Sequence, residues 1–242
     1  MSHVTLVEIA VQDAAGVRAA LNNGADRVEL VQALSTGGLT PSAGLVDAAI
    51  SAAGGDGSRI CVLVRPRPGG FVYTAEEAAI VWDDIRRLVQ QGVGGVVIGA
   101  LTRDGLVDVD VVQRWQEAAA DKEFVFHRAI DASADPDAVF DTLLGLGVHR
   151  VLTSGGTPRT IDGVGRLSRF VQRAGTALEV MAGGGLGVED IAAVRASGVH
   201  AVHLSARMTA DDDAPTGPGG GGAGYDITDA GIVIAAVAAA RQ

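Results

Sequence analysis

Cysteine and lysine occur once each, as Cys61 and Lys122. A single cysteine excludes an internal disulfide and any cysteine zinc cluster. Aromatic residues make up only 4% of the chain, too few for a base-stacking surface. The formal charge is −10, the opposite of the basic face that a nucleic-acid binder presents. Arginine does nearly all the cationic work, a bias we read as genomic composition. No apolar run approaches the roughly 18 residues of a membrane span. The apolar run TLVEIAV opens at residue 5, which leaves no room for a secretory signal. These absences predict a cytoplasmic, enzyme-like chain with neither nucleic acid nor membrane as partner.

What is present is apolar and periodic. The 242 residues are 48% hydrophobic, enough to bury a sizeable core. One phrase is written four times: GADRVELVQA (24–33), GVGGVVIGAL (92–101), GVHRVLTSGG (147–156) and GVHAVHLSAR (198–207). Its glycine ends a helix in the left-handed conformation. The Val-rich run that follows reads as a strand buried on both faces, as in a parallel sheet. Four further runs look alike, at 6–11, 60–66, 124–131 and 178–185. Amphipathic stretches with helix starts separate them, among them those after Thr74, Asp135 and Gly187. Eight strands alternating with eight helices predict a single-domain (β/α)8 TIM barrel over 1–242. The alternative is an open doubly wound sheet, but its Gly-rich first turn is missing. Segment 208–226 is acidic, then Gly/Pro-rich, and reads as a flexible loop or lid after the eighth strand.

Charged residues within barrel strands need a partner or a purpose. Glu8, Glu29, Arg65, His127 with Arg128 and Asp131, Thr153 or Ser154, and His203 with Ser205 all fall at mid or late strand. Glu29 and His203 occupy the same sixth slot of the repeated phrase, which faces inward. These residues are expected to converge at the C-terminal mouth, where barrel active sites form. The catalytic candidates are Glu8, Glu29, Arg65, His127, Asp131 and His203. Glu29 or His127 would be the base and His203 the acid, and Arg65 would hold a carboxylate ionised or clamp a developing oxyanion. The competing reading is a structural plug in which Arg65 neutralises Glu8 or Glu29. His149 and His200 fall in helix-to-strand turns at the bottom face, and His3 in the tail. Lys122 also falls in such a turn, so Schiff-base chemistry, which needs a strand lysine, has no residue here.

Barrels often hold phosphate with backbone N–H groups of the loops after strands seven and eight. Gly183, Gly184 and Gly185 and then Ser205 and Arg207 occupy those loops. With Arg67, Thr153 and Ser154 they are the expected ligand-binding residues.

The motifs GADRVELVQALSTGGLTPSAG, VRPRPGGFVY, GALTRDGLVD, FHRAIDASADP, RVLTSGG and VMAGGG…HLSAR resemble the CutC copper homeostasis family, in order from residue 4 to about 208. The resemblance implies a cytosolic (β/α)8 barrel associated with copper handling. In animal members of that family it further implies copper(I)-binding cysteines at the ends of the first two strands. Those positions here are Ala10 and Val31, which have no donor atom. Cys61 lies near the start of strand three, and Met181 is the only other soft donor within a strand. Copper as a bound ion therefore rests on the resemblance alone, and no residue is assigned as a metal ligand. Three functions stay open: copper homeostasis, an undescribed lyase or isomerase acting on a small anionic or phosphorylated metabolite, and a barrel acting only by association. The partner is accordingly a small anionic molecule or a metal ion, with a homodimer as one state of assembly.

Overall fold

The structure, a computed structural model, describes residues 4–210 and 224–242. Eight parallel strands close into a barrel in chain order: β1 (Leu6–Val11), β2 (Arg27–Leu30), β3 (Ile60–Leu63), β4 (Gly95–Ile98), β5 (Glu123–Phe126), β6 (Arg150–Thr153), β7 (Glu179–Gly183) and β8 (Ala201–Leu204). Helices α1 (Ala14–Asn22), α2 (Ala43–Ala52), α3 (Ala75–Gln91), α4 (Val109–Ala119), α5 (Pro136–Leu146), α6 (Val164–Ala174), α7 (Ile191–Arg195) and α8 (Ala230–Arg241) follow the strands. β8 returns to β1 with Glu8 opposite His203. The chain is a TIM barrel.

The repeated phrase is the joint of the βα unit. Its four glycines, Gly24, Gly92, Gly147 and Gly198, all have positive φ, from 68° to 93°, where a side chain would be strained. The Thr74 start is a capping box: Thr74 Oγ1 accepts from the Glu77 N–H, and the Glu77 carboxylate accepts from the Thr74 N–H. Strand residues of one parity join the large core beneath the helices, for example Val7, Val28, Ile60, Val96, Phe124 and Val151. The other parity faces the barrel axis and forms two smaller apolar clusters. One contains Val31, Cys61, Leu63, Val97 and Val125; the other contains Leu152, Met181 and Ala201 with Leu6.

Two expectations need correction. The run 124–131 is not one strand: β5 stops at Phe126, and Arg128–Ala132 is a 3-10 turn. Asp131 therefore leaves the strand face. Arg65 lies two residues past the end of β3. At the two ends of segment 208–226, β9 (Arg207–Ala210) and β10 (Tyr225–Thr228) pair antiparallel. Arg207 Nη1 meets Asp226 Oδ2 across this ribbon at 2.9 Å, the kind of cross-strand charge pair that supports a short ladder. Residues 211–223 of that segment lie outside the described residues.

Candidate functional site

The barrel floor is a charged layer. Arg27 opens β2 and Arg150 opens β6, both nearly inaccessible. Arg150 donates to Glu179 Oε1 and to Glu123 Oε2, each at 2.8 Å. Arg27 donates to Glu8 Oε2 at 2.7 Å and to Glu179 Oε1. Its Nη2 also lies 3.4 Å from the sulfur of Met181. Burial alone would raise the Glu8 carboxyl, but Arg27, the hydrogen bond to His203 and Arg150 outweigh it and hold it well below the usual carboxylate range.

Glu8 also aims upward. Its Oε1 lies 2.8 Å from His203 Nδ1, and His203 Nε2 lies 3.7 Å from Glu29 Oε2. The chain Glu8–His203–Glu29 thus runs from the floor to the mouth. Burial would lower His203, but the Glu8 hydrogen bond and the charges of Glu29 and Glu8 outweigh it and raise its pKa. Among the described residues Glu29 has no arginine partner. Burial pushes its carboxyl up to about 7; His203 works against this, and Glu8 adds to it.

The mouth above is a cavity of about 440 Å3. Glu29, Arg65, His127 and His203 line it, with Gly184, Gly185, Ser205 and Arg207 on the β7–β8 side. Arg128, expected at the mouth but given no role there, lines it as well, and so does Phe71, which the strand pattern does not mark. So do Ala10 and Val31. Glu8 is buried beneath the cavity rather than in its wall.

Arg65 does not meet either glutamate, which corrects the expected ion pair. Its Nη1 donates to the carbonyls of Gly37 and Gly38, and its Nη2 to that of Gly69 at 2.6 Å. These turns hold the guanidinium at the rim, while Arg27 and Arg150 neutralise Glu8 from below. His127 is likewise not placed as a base. Its Nδ1 accepts the Ala129 N–H at 3.1 Å, so the neutral ring carries its hydrogen on Nε2. Burial, then the charges of Arg65 and Arg128, push its pKa down to about 3.

Several expected residues serve the walls instead. Arg67 is paired with Glu77 and donates to the carbonyls of Gly70 and Val72, locking the loop between β3 and α3. Gly183 closes β7 against Leu152 and His203. Thr153 points to Asp131, donating at 2.6 Å. The Ser154 hydroxyl donates to the Thr157 carbonyl and accepts from Arg128 Nη2. Asp131 collects four donors: Thr153 Oγ1, the N–H groups of Ser154 and Gly156, and Arg128 Nε. It thereby sets Arg128, whose guanidinium lies over Gly184. We expect Asp131→Asn to lose about 1–3 kcal/mol, since an amide NH2 must face one of those donors. Urea denaturation measures it; an unchanged midpoint would show that these bonds carry no stability.

The donors at the mouth do not fit copper(I), which takes thiolate or thioether ligands. Ala10 and Val31 offer none. Cys61 is buried in the inner apolar cluster; burial first, then Glu8, push its thiol up, so it stays protonated. Among the described residues no group of three or more His, Cys, Asp or Glu is arranged to hold a metal ion. Nor is any helix among them long and apolar enough to cross a membrane.

Comparison with known proteins agrees with this architecture. A family protein CutC from Xanthomonas axonopodis pv. citri is 40% identical over 204 residues, covering 83% of either chain. One from Pasteurella multocida is 36% identical over 202 residues, covering 83% of this chain and 82% of its own. A solved CutC structure from Streptococcus agalactiae, named for copper homeostasis, superposes with a TM-score of 0.77 at 29% identity, covering 82% of this chain and 97% of its own. The model of the CutC family matches residues 5–208, from the start of β1 into β9. The chain belongs to the CutC family.

Proposed function

We propose that the mouth of this CutC-family barrel binds a small anionic metabolite, carboxylated or phosphorylated, and moves a proton on it. One observation carries the reading. In a chain of formal charge −10, the cavity gathers Arg65, Arg128 and Arg207 against one carboxylate, Glu29, among the described residues. A concave site in which one sign of charge predominates concentrates ligands of the other.

The groups present suit proton transfer next to a carbonyl. A Glu29 carboxyl held near 7 matches a general base at neutral pH. It would take a proton from the carbon beside the carbonyl, and the released electron pair would move onto the carbonyl oxygen. His203, oriented by Glu8, would return a proton. Protonation of the neighbouring carbon gives isomerisation; departure of a leaving group with its electron pair gives elimination. Gly184, Gly185, Ser205 and Arg207 would hold the ligand's more highly charged end, as loops after the seventh and eighth strands do in other barrels.

Thermal-shift screening tests this. Inorganic phosphate and phosphorylated sugars are expected to raise the melting temperature, by an amount equivalent to about 2.7 kcal/mol at ~100 times the dissociation constant. Arg207→Met should abolish the shift while lowering the melting temperature of the free protein only slightly, because Arg207 is about half exposed and its pair with Asp226 is a surface one. No shift with any anion would overturn the reading. Copper handling, the role in the family's name, has its own test. Copper(I) titrated against a strong chelator is expected to stay with the chelator. Stoichiometric copper lost in Cys61→Ser would restore that role.

A further inference from the structure

Two buried donors at the mouth, His127 Nε2 and Arg65 Nε, make no hydrogen bond of good geometry among the described residues; the Tyr73 hydroxyl, which interacts with the Arg65 side chain, is a further such group. His127 and Arg65 line the cavity, and they are only 6% and 7% exposed. Native proteins rarely leave a buried donor unmatched, and each such case asks for a partner. Two in one cavity ask for a shared one.

The strands bring them together. Leu63 pairs with Val97, and Val97 with Val125. Two residues further along each strand stand Arg65, Gly99 and His127, on the same inward parity. Gly99 lies between the two donors and contributes no side chain. A Cβ added there would run into Cε1 and Nδ1 of His127 and reach 3.0 Å from Ala129 Cβ, so the imidazole occupies the space a side chain on β4 would fill. Phe71 backs both groups: its ring centroid is 4.8 Å from that of His127 and 5.1 Å from Arg65 Cζ. Neither donor is free to swing away. Three carbonyls pin the guanidinium of Arg65, and the Ala129 N–H pins the ring of His127.

We propose that His127 Nε2–H and Arg65 Nε–H form a two-donor site for one oxygen of a carbonyl or carboxylate group, with Gly99 as its positioning residue. This rests on the anion reading of the mouth and adds the ligand's orientation. The oxygen to be polarised sits on the β3–β5 side. The more highly charged group sits opposite, at β7 and β8. A histidine fixed in this way is a neutral donor to a developing oxyanion, not an acid or base. Arg65 and Arg128 are the charged groups that face it, and both oppose its protonation.

Long-range 1H–15N spectra of protein labelled in its histidine side chains test the site. His127 is expected to remain the Nε2–H tautomer from about pH 5 to about pH 9, a range in which an unperturbed histidine titrates. Acetate should shift its Nε2–H resonance. His127→Asn keeps an acceptor for the Ala129 N–H and removes the distal donor; it should weaken acetate binding about tenfold. Gly99→Ala should do the same while inorganic phosphate binds as before. The tautomer is read in the unmodified protein, so the test survives a variant that fails to fold. An Nδ1–H tautomer, titration near the ordinary 6.5, or acetate that leaves His127 unmoved would overturn the proposal. Acetate at His127 with no phosphate at Gly184 and Gly185 would uphold this site and sink the phosphate end of the wider reading. Phosphate bound with His127 unmoved by acetate would do the reverse.

Discussion

Replacing Arg150 by methionine is expected to cost the fold about 3–5 kcal/mol, read as a lower urea midpoint. Arg150 is 2% exposed and sits between three carboxylates. A buried ion pair is a poor stabiliser compared with an apolar replacement of the whole pair, but breaking one strands the remaining charge. Without Arg150, Glu8 and Glu179 share Arg27 alone. Glu179→Gln in the same chain should therefore recover much of the loss. The network holds Glu8 and Glu179 below their ordinary values. Its contribution is thus present above about pH 4.5 and fades as the pH falls, and the two proteins should converge in acid. An unchanged midpoint at neutral pH would mean that the floor is not held by charge. Anion binding at the mouth should survive, because Arg150 does not line the cavity.

Glu29→Gln is expected to stabilise the protein at alkaline pH, by up to about 3 kcal/mol. The folded state holds the Glu29 proton up to about pH 7, whereas the unfolded chain releases it near 4.5. Between those values the folded state binds more protons, so this residue's contribution falls as pH rises, by about 1.4 kcal/mol per unit. His203, also raised, acts in the same direction above its ordinary value. His127 acts oppositely: its pKa is lowered from 6.5 to about 3, so its contribution is present above 6.5 and lost as pH falls. Glu29 and His127 therefore nearly cancel between about pH 4.5 and pH 6.5. Removing Glu29 should expose the rising slope of His127 and separate the variant from the parent above pH 7. Parallel stability curves for the two proteins would show that Glu29 ionises as an ordinary surface carboxylate and is no poised base.

The repeated phrase made the barrel legible, because each copy carries both the helix-ending glycine and the strand it feeds. Alternation also showed that slot six, with Glu29 and His203, faces inward. The same alternation reaches slot four, two residues earlier, which holds Arg27, Gly95, Arg150 and Ala201. The strand pattern does not mark those arginines as inward, since an arginine at the start of a strand is commonly a solvated end residue. Partner choice was not legible at all. Arg65 and Glu29 share a mouth, but whether a guanidinium turns to a carboxylate or to a carbonyl depends on turns at Gly37, Gly38 and Gly69 that the strand pattern does not describe. Asp131 shows the same limit. One 3-10 turn after His127 moved it from the strand face to the loop beneath Arg128.

The charged floor makes the barrel a vessel with one opening. Glu8, Arg27, Arg150 and Met181 seal the axis below His203. A proton held by Glu29 can then reach bulk water only through the entrance the ligand itself occupies. Hydrogen taken from a bound molecule would be kept in escrow beside it until the molecule leaves. Turnover in deuterated water should therefore place deuterium, supplied by His203, in the product, while the protium held by Glu29 exchanges only once the molecule has left.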